Sequence, residues 1–438
     1  MLSYPRTFKI AGNCPSAKRV FMSLTKKILV AMVLGIVIGL LLNLFTGREA
    51  DSWVQVYLVD GLFDTVGAVF VASLKLLVVP LVFVSLVCGT ANLGNHSRMG
   101  GLAVKTIGLY LLTTAIAITL AIGVASLLGP GLGLNLEASG ATSMDTDLSL
   151  KQTIINIFPS NPVAAMAEGN MLQVIVFSVL LGVAIAKSGE QGAPVASFFE
   201  NLNHVVLRMI MMLVQLAPYG VFCLLAKLFA SMGFGVFQDL LFYFFTVAGV
   251  LLLQAVVVYP SLLKLLAGLN PLIFLRKMYP VMVFGFSTAS SNATLPVTMS
   301  TVEGKLGVDN KAASFTLPLG ATINMDGTSI MQGVATVFIA QAYGIEVGIM
   351  GYLMVVLTAT LASIGTAGVP GVGMVTLAMV LQQAGLPVEE GIALIIGVDR
   401  LLDMIRTAVN ITGDAAVTTV VAKSEQLLDE DRYRDKAA

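Results

Sequence analysis

Long apolar stretches separated by short polar segments run along nearly the whole chain. They lie near residues 28–45, 61–93, 102–129, 154–186, 202–230, 237–268, 312–343 and 387–422. A helix of about 20 apolar residues is long enough to cross the hydrocarbon core of a bilayer. The pattern therefore predicts an all-α polytopic membrane protein.

Two further apolar segments, 268–311 and 347–386, are interrupted in the middle by small residues, glycine and proline. The interruptions read "GFSTASSNATLP" and "ASIGTAGVPGVG". A broken backbone at membrane depth is tolerated only where it is buried in protein or lines a watery cavity. Paired interruptions are typical of transporter binding sites, although two kinked spanning helices would give the same pattern.

Composition agrees with this class and narrows the chemistry. Hydrophobic residues make up 57% of the chain and charged residues 11%, whereas globular proteins carry about 25% charged residues. The formal net charge is zero, which argues against a nucleic-acid partner. Three scattered cysteines and two histidines favour neither a disulfide framework nor a histidine metal centre.

Positive charge is concentrated ahead of the first apolar stretch, where six lysines and arginines stand without an acid. The bias of such charges toward the cytoplasm predicts a cytoplasmic N-terminus. The polar ending "KSEQLLDEDRYRDKAA" predicts a cytoplasmic tail. The stretch 28–45 is too long for a typical cleaved signal peptide and is expected to remain as a spanning helix.

Charged residues are spaced at helical intervals near the C-terminus. Three or four positions separate each of the neighbours Asp399, Asp403, Arg406, Asn410 and Asp414. At 100° per residue they fall within about 80° of one another, on one stripe of a helix. Such a stripe should face the protein interior and is by default a functional site. The alternative is a salt-bridge ladder, centred on Asp403 and Arg406, that only joins helices.

A second polar cluster, "GATINMDGTS", occupies residues 320–329. Asp326 is flanked by Asn324 and by threonines, and the two glycines can loosen a helix there. Unwound carbonyls and a carboxylate form an oxygen cage suited to a hard cation such as Na⁺. The alternative is a buried aspartate that caps a break between helices.

Four motifs in order resemble one known family. They are "NMDGT" (324–328), "SIGTAGVPG" (363–371), "LDMIRT" (402–407) and "NITGD" (410–414). The chain resembles the dicarboxylate/amino acid:cation symporter family, which includes bacterial and archaeal aspartate/glutamate transporters and the animal glutamate transporters. The resemblance implies eight transmembrane helices, two re-entrant helical hairpins and an elevator-type fold. It also implies a homotrimer in the bacterial inner membrane.

The same resemblance implies a division of the chain. Residues 1–26 would be a cytoplasmic segment, and 27–268 would form transmembrane helices 1–6, which comprise the scaffold and the peripheral transport-domain helices. Residues 269–424 would be the core transport domain, formed by hairpin 1, helix 7, hairpin 2 and helix 8. Residues 425–438 would be the cytoplasmic tail.

The family pattern also assigns roles at the substrate site. Arg406 would bind the substrate's side-chain carboxylate, Asp403 its amine, and Asp399 would orient Arg406. Thr407 and Asn410 would hold the amino and α-carboxyl ends. The hairpin tips would be Ser290–Asn292 and, as the gate, Val369–Gly373. The implied substrate-binding residues are Ser290, Ser291, Met325, Thr328, Val369, Gly373, Asp403, Arg406, Thr407 and Asn410.

Three sodium sites are implied in the same way. The first comprises Gly320, Asn324, Asn410 and Asp414. The second comprises Thr322, Ser363, Ile364 and Thr366. The third comprises Tyr110, Thr113, Thr114, Asn324 and Asp326.

The chain departs from the family pattern at several charged positions. Ala289 stands before the serine tip where several relatives carry an arginine. Animal members have an arginine at the position of Met404 and a glutamate at that of Gln332. This chain instead carries Arg400 beside Asp399. These differences leave the charge balance around Arg406 open.

The resemblance implies Na⁺-coupled uptake of aspartate or glutamate. Proton-coupled uptake of the same substrates, or C4-dicarboxylate transport, are the alternatives within the family. C4-dicarboxylate carriers tend to lack an acid at the position of Asp403. An ion channel is disfavoured because the polar groups form an enclosed site with anion and amine receptors together. An enzyme is disfavoured because no histidine or cysteine lies in a plausible catalytic position.

Overall fold

The computed structural model describes residues 24–46, 52–94, 100–134, 136, 155, 158–233, 235–364 and 368–435. Throughout these ranges the chain is helical apart from turns, loops and one isolated antiparallel bridge between Val308 and Leu428. The all-helical prediction is confirmed.

The N-terminal part consists mainly of long apolar helices. They are α1 Leu24–Thr46, α2 Asp64–Gly94, α3 Gly100–Leu128, α4 Pro162–Glu168, α5 Met171–Lys187, α6 Ala193–Val214, α7 Ala217–Met232, α8 Gly235–Leu253 and α9 Tyr259–Ala267. A π-helical segment, Val54–Phe63, leads into α2, and a second, Gln254–Val258, joins α8 to α9. Helix α1 packs on α7, and α2 packs on α5, α6 and α7.

Large apolar side chains cover much of the outer surface of these helices. Leu127 is 87% exposed, Phe45 is 84% exposed and Leu265 is 81% exposed. Extended apolar surface of this kind marks a membrane-facing or partner-facing region. The outer surface therefore agrees with the predicted bilayer environment.

The C-terminal part contains the two interrupted segments. Its helices are α10 Pro271–Thr288, α11 Ser291–Gly304, α12 Asn310–Ile323, α13 Asp326–Ala342, α14 Ile349–Ser363, α15 Val372–Gln383, α16 Val388–Ser424 and α17 Glu430–Arg434. Helices α10 and α11 pack against each other, as do α14 and α15, so each pair forms a hairpin. The predicted interruptions fall at the two hairpin tips.

Helix α16 is the central element of this region and has 37 residues. It packs against both hairpins and against α3, α7, α8, α9, α12 and α13. Most of its residues are consequently buried, including the charged stripe predicted from the sequence.

The number of spanning helices remains a prediction. Within the described ranges, four helical stretches are long and apolar enough to cross a membrane, or five if α6 and α7 count as one bent span. Helix α13 has only 17 residues because the chain leaves the helix at Asn324 and Met325. Helix α16 is not among these apolar stretches, because it contains several buried charged residues.

Two of the apolar stretches predicted from the sequence do not form single continuous helices. The stretch 202–230 forms two helices, α6 and α7, bent by 47°. Pro218 lies in the first turn of α7, where its missing N–H costs no helical hydrogen bond. In the stretch 154–186, α4 ends at Glu168 and is capped by Gly169 with φ of 71°, and α5 begins only at Met171.

The segment after α16 is attached to the base of the first hairpin. The Asp309 N–H donates to the Leu427 carbonyl at 2.8 Å, and the Asp429 N–H donates to the Gly307 carbonyl at 2.8 Å. Lys277, on α10, donates to the carbonyl of Arg432 at 2.8 Å. The predicted tail therefore folds back onto the hairpin in its described part, up to residue 435.

Candidate functional site

The polar stripe on α16 lies inside the protein, as its spacing predicts. Arg406 is only 1% exposed, and Asp399, Asp403, Asn410 and Asp414 are all buried. An isolated buried charge is very costly, so such groups need partners. The partners come from α16 itself, from the two hairpins and from the break before α13.

Four charged side chains of α16 form one cluster. Arg406 Nη1 lies 2.8 Å from Asp399 Oδ1, and Arg406 Nη2 lies 2.9 Å from Asp403 Oδ1. Arg400 Nη1 lies 3.0 Å from Asp403 Oδ2. Two arginines and two aspartates balance, so the cluster carries no formal net charge. The ion pairs of the salt-bridge alternative are therefore present.

The guanidinium of Arg406 nevertheless retains donor capacity beyond these two ion pairs. Its Nε and Nη1 have no hydrogen-bond partner among the described residues, and the same holds for Asp399 Oδ1. Because Nη1 lies 2.8 Å from Asp399 Oδ1 in an ion pair, Nε is the donor that remains for a substrate. A guanidinium presents five N–H donors in a planar fork that matches a carboxylate. The site can therefore accept an anionic group at Arg406.

The second hairpin approaches this fork closely. A Cβ placed on Gly373 would lie 3.3 Å from Arg406 Nη2 and 3.4 Å from Thr328 Cγ2. Gly371, just before α15, has φ of 86°, a conformation that side-chain-bearing residues rarely adopt. Val369 is half-buried beside it. The structure thus brings three predicted positions, Gly373, Thr328 and Arg406, together.

The two hairpin tips are joined by hydrogen bonds. The Ser290 hydroxyl donates to the Gly368 carbonyl at 2.7 Å, and the Asn292 N–H donates to the same carbonyl at 3.2 Å. Ser290 also caps α11, and Ala289 before it has φ of 49°. Ser290 and Ser291 are buried. Opening the second hairpin away from the first would break both bonds.

Asn410 connects α16 to the break between α12 and α13. Its Oδ1 accepts from the Gly327 N–H at 2.7 Å, and its Nδ2 donates to Met325 Sδ at 3.3 Å. Thr407 is less available, because its hydroxyl donates to the Asp403 carbonyl at 2.9 Å. The structure therefore brings Asn410 and Met325 together. The substrate-binding roles of Met325, Thr407 and Asn410 stay a prediction.

Asp326 lies in a nest of hydroxyl and amide donors. Thr114 donates to its Oδ1 at 2.7 Å, while Tyr259 and Gln254 donate to its Oδ2 at 2.8 Å and 3.2 Å. The Thr113 hydroxyl lies 3.4 Å from Oδ1 and 3.3 Å from Asn324 Oδ1. Asp326 is fully buried.

Asp414 lies in the neighbouring part of the same polar region. Asn324 Nδ2 donates to Asp414 Oδ1 at 2.9 Å. A Cβ on Gly320 would lie 2.7 Å from Asp414 Oδ1 and 2.6 Å from the Tyr110 hydroxyl. The first and third predicted sodium sets, joined through Asn324, are therefore gathered in one place.

Neither buried carboxylate, Asp326 or Asp414, forms a salt bridge with any residue in the described ranges. Carboxylate, amide and hydroxyl oxygens are the ligands that hard cations prefer. The donor set therefore fits a small cation such as Na⁺.

The structure describes three of the four residues of the second predicted sodium set. Ser363 and Ile364 lie buried at the end of α14, and Thr322 is exposed near the end of α12. Thr366 lies outside the described residues. This set stays a prediction.

Sequence reasoning missed Tyr259 and Gln254, which both reach Asp326. Both are polar residues within the apolar stretch 237–268. A polar side chain at membrane depth indicates a functional site, so this position could have identified them. Gln254 begins the π-helical segment Gln254–Val258, and Tyr259 follows it directly. Such segments are often found at functional sites. Gln332, where animal members carry a glutamate, donates to Thr376 Oγ1 at 2.9 Å.

An all-helical chain with a buried charged site between two broken helix pairs has the architecture of a membrane transporter. Residues 24–424 match the model of the Sodium:dicarboxylate symporter family, and the chain belongs to that family. The predicted family membership is confirmed.

Several relatives resemble the chain over most of its length. It is 35% identical to the proton/glutamate-aspartate symporter of Escherichia coli (strain K12), across 94% of this chain and 95% of that one. It is 33% identical to the proton/sodium-glutamate symport protein of Bacillus subtilis (strain 168), across 94% and 95%. It is 34% identical to the C4-dicarboxylate transport protein of Rhodospirillum rubrum, across 84% and 83%.

These comparisons define the general activity. The family transports acidic amino acids or dicarboxylates by symport, and its members are transporters, not enzymes. The prediction of a membrane protein with a small-molecule substrate and a coupling ion is confirmed at this level.

Proposed function

We propose that the protein takes up aspartate or glutamate by symport with Na⁺. One observation carries the substrate: the Nε of buried Arg406 has no hydrogen-bond partner among the described residues and lies beside the carboxylate of Asp403. An anion receptor next to an amine receptor fits a substrate that carries both a carboxylate and an ammonium group. Plain dicarboxylates satisfy only the first.

In this proposal the substrate's side-chain carboxylate accepts two hydrogen bonds from the Arg406 fork, the strongest geometry for such a pair. Asp403 receives the amine, and Asp399 keeps Arg406 in position. Asn410 and Thr407 hold the α-carboxyl and amino ends. The remaining contacts come from Ser290, Ser291, Met325, Thr328, Val369 and Gly373.

The coupling ion is proposed from the buried carboxylates. Asp326 and Asp414 lie in an oxygen-rich environment without a cationic side chain of the described chain to balance them. Dehydrating Na⁺ is costly, and an anionic oxygen in the site offsets that cost. Binding of one Na⁺ at each carboxylate would thus neutralise both and prepare the site for an anionic substrate.

Proton coupling is the second candidate. A buried carboxylate can also be neutralised by protonation. The names of the Escherichia coli and Bacillus subtilis relatives both include a proton. We favour Na⁺ as the coupling ion because the two carboxylates are surrounded by further oxygens, from Thr113, Asn324 and Tyr110.

We further propose the architecture that the family resemblance implies. Residues 27–268 supply the scaffold and peripheral helices of a homotrimer in the inner membrane, and residues 269–424 form a mobile core. The whole chain has eight spanning helices and two re-entrant hairpins. Residues 1–26 and 425–438 face the cytoplasm. Hydrogen bonds between the hairpin tips support a core that can close around its substrate.

A substrate panel tests the proposal. The protein is reconstituted in proteoliposomes, and uptake of labelled L-aspartate is challenged with unlabelled L-glutamate, L-asparagine and L-leucine. We expect competition by glutamate and none by asparagine or leucine, because only glutamate offers a carboxylate to Arg406. Equal competition by asparagine would contradict the assignment of Arg406 as the side-chain receptor.

A further inference from the structure

Arg400 is the one arginine of the site cluster that no part of the proposed binding scheme uses. It is buried, and its Nη1 pairs with Asp403 Oδ2 at 3.0 Å. The other oxygen of Asp403 pairs with Arg406 at 2.9 Å. Both oxygens of the proposed amine receptor are therefore engaged by arginines of the protein itself.

The surroundings of Arg400 make its charge effective. With Asp399 and Asp403 it lines a small cavity of about 50 Å³, whose other walls are largely apolar, such as Phe70 and Met374. Charges interact far more strongly in such a poorly polarisable environment than in water. Arg400 therefore acts on Asp403, and on any group beside it, with little screening.

We propose that Arg400 is a specificity-determining residue. It serves as a built-in counter-cation for Asp403 and so lets the site bind acidic substrates that lack an amine. This inference rests on the proposed binding of substrates at Asp403 and Arg406. It assigns to Arg400 the role that the substrate's ammonium group would otherwise have to fill.

Counting charges gives the physical reason. Aspartate brings two carboxylates and one ammonium, and the ammonium compensates Asp403. A C4-dicarboxylate such as succinate brings two carboxylates and no cation. With Arg400 in place, Asp403 remains compensated when succinate binds. Without Arg400, Asp403 would have to share the positive charge of Arg406 with the bound succinate. The negative charge of Asp403 would then repel the second carboxylate of succinate.

The presence of Asp403 therefore does not by itself exclude amine-free substrates. An acid at this position selects for an amine only when nothing else neutralises it. A purely structural Arg400 would instead affect every substrate alike, by weakening the fold around α16. The ratio of two affinities separates these roles.

The test compares two inhibitors of labelled aspartate uptake in proteoliposomes, unlabelled aspartate and unlabelled succinate. In the unaltered protein we expect succinate to compete. In Arg400→Gln we expect the succinate-to-aspartate ratio of inhibition constants to rise at least tenfold, because Asp403 loses the counter-cation that only the substrate's ammonium can replace. Arg400→Lys keeps the positive charge and should leave the ratio within about threefold of its original value.

Arg434→Gln is the matched control, because it removes an exposed arginine that pairs with Glu430 on the same short helix, far in sequence from Asp403. Its ratio should not change. The inference is overturned if Arg400→Gln weakens both inhibitors equally. It is also overturned if succinate fails to compete in the unaltered protein, a result that needs no variant to fold. If the unaltered protein takes up no acidic amino acid at all, the proposed function itself fails.

Discussion

Arg406 and its neighbours show what helical spacing predicts at the level of single residues. Positions three or four apart lie on one face, so the contacts of Asp403 with Arg400 and Arg406 follow from the sequence. The partners of Asp326 do not follow from helical spacing. Thr114, which the family resemblance implied, and Tyr259, which it did not, are distant in sequence and come from α3 and α9. Their approach depends on tertiary packing, which local patterns do not contain.

The first residue-scale prediction concerns Arg406→Ala. Removing one partner of a buried ion pair costs about 3–5 kcal/mol, which corresponds to more than a hundredfold in affinity. We expect loss of acidic substrate uptake in proteoliposomes, with the Arg434→Ala variant unaffected. Unchanged affinity for aspartate in Arg406→Ala would show that the substrate carboxylate binds elsewhere.

Asp403→Asn tests the amine receptor. The substrate's ammonium would lose a charge-assisted hydrogen bond worth about 1.5–3 kcal/mol, so aspartate affinity should fall by tenfold or more. Succinate has no ammonium group and should be affected less. Competition measurements with both compounds decide the matter, and an equal loss for the two would argue against this role.

Asp414→Asn tests the cation site. The substitution keeps the shape of the side chain and removes the anionic oxygen that would offset the dehydration of Na⁺. We expect the Na⁺ concentration required for half-maximal aspartate uptake to rise at least tenfold. Asp64→Asn, which alters only a partly exposed pair with Lys227, is the control and should behave like the unaltered protein. The same Na⁺ dependence in Asp414→Asn would place the ion elsewhere.

At the scale of elements, the two broken helix pairs were the most informative part of the sequence. Glycine, proline and small residues identified where α10 ends and α11 begins, and the contact between the tips at Ser290 and Gly368 agrees with a shared site. The bend between α6 and α7 was not expected, because an apolar stretch looks the same whether or not a turn divides it. Only Pro218 hinted at that break.

The second hairpin tip should behave as a gate that faces the outside. In a variant without its native cysteines, Val369→Cys should react with an impermeant thiol reagent, and substrate with Na⁺ should protect it by closing the tip. Trp53→Cys, at an exposed residue on the predicted outer side, should react equally with and without ligands. Identical labelling of Val369→Cys under both conditions would contradict gating.

At the scale of the whole molecule, hydropathy and composition were sufficient for the class and the motifs for the family. The division between scaffold and mobile core depends on motion and on partner subunits, which a single chain does not display. Helix α16 nevertheless packs on both hairpins and on α3, α8 and α9. A substrate bound at Arg406 would therefore be linked to the cation region at Asp414 through one continuous helix.

The most direct test of the account measures aspartate uptake in proteoliposomes under separately imposed gradients. We predict concentrative, saturable uptake driven by an inward Na⁺ gradient at equal pH inside and outside, and no uptake when choline replaces Na⁺. Concentrative uptake driven by an inward proton gradient with no Na⁺ present would contradict the Na⁺ proposal and establish the proton as the coupling ion.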